Sequence, residues 1–158
     1  MQEGREACGA DDPAPESHSS VPDDDAVYRR LSDSSPAMVY VDPLTGDRRP
    51  TTGAFAVKPG EDGLSVYREQ LLAASGLTAA HVVTAAQNLV VSLAVRDIRS
   101  TPPLDVRDDP WPVDVPEPTH PRNGAHSLIV GWEELSRSER RARQLALVSA
   151  PSLQFVYP

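Results

Sequence analysis

Four side chains of the sequence combine a base, two hydroxyl nucleophiles and a fixed cation: His126, Ser65, Thr52 and Arg29. Of these, His126 in "NGAHSLIVGW" is the natural general base, because an unperturbed imidazole titrates near ~6.5. It stands where a polar loop runs into an aliphatic strand, held firmly and still able to reach solvent, which is the position a proton acceptor needs. Ser65 or Thr52 would supply a hydroxyl for it to activate, and Arg29 a guanidinium for an anionic substrate. The same histidine has a plainer reading, in which the imidazole closes a hydrogen bond to backbone at the strand start. The residues alone favour that reading.

Other chemistries lack their signatures. There is no G-x-S-x-G elbow, H-E-x-x-H pair, P-loop or G-x-G-x-x-G turn, so no cofactor is expected. His81, His120 and His126, with Asp114 or Glu117, are too scattered for the tight local pair on which metal sites are built, and no metal is expected. Cys8 is the single cysteine, which excludes an internal disulfide, and it reads as an incidental exposed thiol. His18 sits in the N-terminal tail. The acid pairs Asp108/Asp109 and Glu133/Glu134 are adjacent in sequence, so their side chains diverge and read as solvated surface.

The elements that would position these groups follow from local patterning. "AVYRRL" alternates Val27 and Arg29 with Tyr28 and Arg30, a strand with one apolar face. "AMVYVD" (37–42) is a second strand, closed by a turn at Pro43 and Gly46, and the two together suggest a hairpin. A short β-prone piece follows at 53–57, then the loop "KPGEDG". Asp62 would cap a helix starting near Leu64, in which Leu64, Tyr67, Leu71 and Leu72 share one face and Gly76 ends the helix. Thr78 would cap a second helix, "AAHVVTAAQN". "LVVSLAVRDI" (89–98) fits an interior strand covered on both faces. The stretch 102–121 holds seven prolines and reads as an extended connection, since proline lacks the ladder donor. "HSLIVGW" is a strong strand. Ser136 and Glu139 form a capping box for a helix that Pro151 ends, and "LQFVY" adds an edge strand.

Charge is distributed unevenly. The net charge is −8, yet residues 1–25 carry eight acids against one base. That segment has almost nothing to bury and predicts a disordered acidic leader. Residues 26–158 are nearly neutral and predict a single α+β domain, a small, mostly antiparallel sheet with about three helices. Without a basic field, nucleic acid is an unlikely partner. The basic face of "SRSERRARQ" reads as solvated. No run approaches the ~20 apolar residues of a membrane span, and no secretory signal opens the chain, so a cytoplasmic protein is expected.

"TTGAF", "DGLSVYREQLL", "VVSLAVRDIRS", "VRDDPWP" and "GAHSLIVG" follow one another in an order that resembles a group of short bacterial proteins of actinobacterial type. Their pattern is S/T-S/T-x-A-F, then L-S-V, D-P-x-P and A-H-A-x-V/I-x-G, over roughly residues 50–131. Ser127 after the histidine and a longer proline link depart from it. The resemblance places Phe55, Leu64, Ser65, Val66, Pro110 and His126 in one framework and carries no assigned reaction. A fainter likeness is to the ADP-ribosyltransferase class and its RES-type toxins, through "VYRRL". It implies that Arg29 grips a dinucleotide phosphate while Thr51 and Thr52 support a ribose; no Glu-x-Glu pair follows.

Two functions are therefore expected. The first is a small accessory or protein-interaction module with another protein as partner. The alternative is a small transferase, ADP-ribosyltransferase-like, or a hydrolase acting around His126 and Arg29.

Overall fold

The structure is a computed structural model that describes residues 21–112 and 120–158. Eight strands and three α-helices make up an α+β fold. The strands are β1 (Ala26–Leu31), β2 (Val39–Val41), β3 (Arg48–Pro50), β4 (Leu64–Arg68), β5 (Leu89–Ala94), β6 (Asp105–Asp108), β7 (His126–Val130) and β8 (Gln154–Tyr157). The helices are α1 (Glu69–Ala74), α2 (Val95–Arg99) and α3 (Arg137–Val148). Six strands form one antiparallel sheet in the order β6-β7-β4-β1-β5-β8, and β2 and β3 form a separate ribbon. Among the described residues, no helix is long and apolar enough to cross a membrane.

The sheet is covered on both faces, as the largely aliphatic run of β5, interrupted only by Ser92, requires. Leu89, Val91 and Leu93 join Val27, Leu64, Val66, Val106 and Ile129 in the larger core, under Phe55, Trp132 and Leu147 of α3. Val90 points the other way and packs with Tyr28, Tyr67, Leu72 of α1, Val82 and Ala125. The period of two along each strand sends alternate residues to opposite sides.

Several local expectations are corrected. β2 does not pair with β1; it pairs with β3, Tyr40 opposite Arg49. The piece at 53–57 is a 3-10 turn, Thr52–Phe55, in which Ala54 and Phe55 are buried. "LSVYR" is a strand, and the helix begins only at Glu69. Its letters satisfy both periods, and the ladder to β7 (Ser65 opposite Leu128, Tyr67 opposite His126) decides between them. The expected helix after Thr78 is one 3-10 turn, Ala79–His81. Within the proline-rich connection, the proline-free "DVRD" pairs with β7 as an edge strand.

The leader's boundary also moves. Val21 lies in the larger core, and the Asp25 carboxylate is buried against Arg68 (Nε to Oδ2, 2.8 Å) while accepting the Ala26 and Gln70 amides. Alternation of charge and proline hid one apolar anchor and one buried acid. Residues 1–20, with Cys8 and His18, lie outside the described residues, as do Asp114 and Glu117. The Ser136–Glu139 capping box is present, and Gly76 ends α1 with φ 73°.

Candidate active site

Ser65 and His126 are 61 residues apart in sequence and meet because β4 and β7 pair antiparallel, with Tyr67 opposite His126. Residues opposite each other, and those two along, share a face. Ser65, Tyr67 and His126 therefore project together. Gly63, just before β4, permits this pairing: a Cβ there would stand 2.5 Å from the Ile129 carbonyl oxygen.

The imidazole is bonded at both nitrogens. Nδ1 lies 2.8 Å from the backbone carbonyl oxygen of Asp109 and 3.2 Å from its carboxylate Oδ2. A carbonyl only accepts, so Nδ1 carries the proton. In the neutral ring, Nε2 is then an acceptor, and the Ser65 hydroxyl donates to it across 2.5 Å. Burial pushes the His126 pKa below its ordinary value, with Arg30 adding to the shift; the Asp109 carbonyl and carboxylate oppose it. The ring is therefore a neutral base at pH 7. Trp111 stacks on it with centroids 3.7 Å apart, and Tyr67 meets it edge-on at 5.4 Å.

Asp109 is fixed by its surroundings. Its amide donates to the His126 carbonyl (3.0 Å), and the preceding Asp108 takes Arg68 Nη1 at 2.8 Å. Arg68 thus ties Asp25, β4 and the end of β6 together. The Asp109 carboxylate is 45% exposed, so the backbone carbonyl is the firmer of its two contacts to Nδ1.

Arg29 approaches Ser65 from the other side. The β1–β4 ladder ends after Val27–Arg68 and Tyr28–Tyr67, although both strands continue. Arg29 sits where they separate: Nη1 donates to the Ser65 carbonyl and Nε to the Ala54 carbonyl, both at 3.0 Å. Burial of this cation, with Arg30 nearby and Glu61 opposing, lowers its pKa to about 10. A cavity of about 150 Å³ opens at the split, lined by Arg29, Arg30, Lys58, Glu61, Ser65 and Gln87 together with apolar side chains.

The structure thus brings His126 and Ser65 together, places Arg29 on the Ser65 backbone carbonyl, and leaves Thr52 outside, at the start of its 3-10 turn and not in the cavity wall. The Thr51 hydroxyl bonds the Ala37 carbonyl. His81 accepts the Thr78 amide and His120 the Arg122 amide, each closing a local turn. Asp109 and Trp111 were the residues that sequence reasoning passed over, Asp109 as solvated surface. The available signal was "DDPWP": proline at 110 holds Asp109 extended, and the chain that follows, tied by the Trp111 amide to the Asn123 carbonyl, carries Trp111 onto the imidazole.

Comparison with known proteins gives no match to a family model, a curated protein or a solved structure.

Proposed function

We propose that the chain is a small serine-dependent hydrolase, with Ser65 as nucleophile, His126 as general base and Asp109 as the group that orients the imidazole. One observation carries this reading: the Ser65 hydroxyl donates to Nε2 of an imidazole whose Nδ1 proton is held by Asp109. This is the division of roles that makes a serine hydroxyl nucleophilic. Ser65 Oγ bonds to the carbonyl carbon of an ester as Nε2 takes the hydroxyl proton. The C–O bond to the alcohol breaks, and the alcohol leaves with that proton. Water repeats the sequence on the acyl-serine and restores the Ser65 hydroxyl. Arg29 donates to the Ser65 backbone carbonyl and so fixes β4 at the nucleophile's own position.

The test is hydrolysis of p-nitrophenyl acetate by the purified full chain. The reading expects saturable turnover, reduced at least ~100-fold in Ser65→Ala, as loss of a nucleophile requires. Turnover that is absent, or that survives in Ser65→Ala, overturns it. The network is then a structural clamp, and the chain falls back to a non-catalytic module that binds another protein.

A further inference from the structure

The cavity in front of Ser65 carries more positive than negative charge. Arg29, Arg30 and Lys58 line it against a single carboxylate, Glu61, which accepts the Lys58 backbone amide at 3.3 Å. None of the three cations is in an ion pair among the described residues. The two guanidiniums rest on neutral partners. Arg29 donates to the Ala54 and Ser65 carbonyls, and Arg30 donates to the Val82 carbonyl with its Cζ 5.3 Å from the Tyr67 ring centre. Met38, Ala56 and Leu64 form the apolar wall. A guanidinium partly removed from water, with only carbonyls for company, gains most from an added anion, because a charge-assisted pair is about twice as strong as a neutral one.

Size narrows the choice. A volume of about 150 Å³ equals roughly five waters at ~30 Å³ each. That matches an acyl chain of a few carbons. Because Ser65 lines the same cavity as the three cations, we assign the anion to the acyl half of the substrate.

We propose that the acyl group accepted at Ser65 is short and ends in a carboxylate, so that the substrates are monoesters of small dicarboxylic acids. This rests on the serine-nucleophile reading. The experiment compares mono-p-nitrophenyl succinate with p-nitrophenyl acetate on the full chain. The succinate ester is expected to show kcat/KM at least ~10-fold higher, the value of one added charge-assisted hydrogen bond. Lys58→Met should lower that ratio, and Lys58→Arg should keep it. Ser65-dependent cleavage of both esters with no preference for succinate overturns the inference and leaves the serine reading standing. Absent turnover of p-nitrophenyl acetate removes the serine reading itself, and the inference with it.

Discussion

Replacing Asp25 by alanine tests whether the segment that reads as leader is part of the folded body. The carboxylate is buried and holds three donors: Arg68 Nε at 2.8 Å, the Ala26 amide at 2.7 Å and the Gln70 amide at 3.1 Å. Its removal leaves the Arg68 side chain, only 10% exposed, with the half-exposed Asp108 as its remaining ion-pair partner. Breaking one side of a buried ion pair costs about 3–5 kcal/mol. The backbone amides do not add their full ~1 kcal/mol each if water reaches them, so the lower half of that range is expected. For a chain of this size each kcal/mol shifts Tm by about 2–4 °C, a drop of at least ~6 °C. Urea unfolding followed by tryptophan fluorescence measures it directly, since Trp132 is buried in the core. Asp24→Ala is the control, because among the described residues Asp24 meets only the exposed Gln70 amide nitrogen at 3.2 Å, and its loss should stay within about 0.5 kcal/mol. If Asp25→Ala matches Asp24→Ala within 1 kcal/mol, the argument that Asp25 and Arg68 anchor the sheet is wrong.

Other outcomes follow from the site. Tyr67 buries a hydroxyl that has no hydrogen-bond partner among the described residues, so Tyr67→Phe should be neutral or stabilising in the same unfolding assay, and a loss above ~1 kcal/mol would reveal a partner. Gly63→Ala drives a Cβ into the Ile129 carbonyl and should cost about 1–3 kcal/mol; an unchanged Tm would show that β4 and β7 separate easily. His126 is held below its ordinary pKa by burial, so in the unfolded chain it takes up a proton first as pH falls. The stability it contributes is complete above pH ~6.5 and declines as pH drops from there through the folded value. Unfolding free energy against pH should show this slope in the wild type and lack that component in His126→Gln; identical profiles would contradict it.

What the sequence revealed depended on how local each signal was. The Ser136–Glu139 box and the Gly76 stop involve groups within three or four residues, and both were legible. So was β5 over Leu89–Ala94, whose mostly aliphatic run has no solvated face to offer, although the strand expected through residue 98 stops there and Val95–Arg99 form α2. "LSVYR" was ambiguous because Leu64, Val66 and Tyr67 fit either period, and only pairing with a strand some sixty residues away resolves it. The partner of β2 was hidden for the same reason: a three-residue strand carries too little pattern to choose between neighbours. At the site, His126, Ser65 and Arg29 were visible as chemically able side chains. Asp109 was not, because its contacts to the imidazole come from the irregular segment after β6, one of them through a backbone carbonyl that any residue possesses.

Covalent labelling is the most direct test of the central claim. The full chain, incubated near pH 7.5 with a fluorophosphonate and digested for mass spectrometry, should carry one adduct, on Ser65, lost in Ser65→Ala and strongly slowed in His126→Gln. A chain that stays unmodified, or that is modified at another serine with Ser65 untouched, contradicts the assignment of Ser65 as a nucleophile activated by His126.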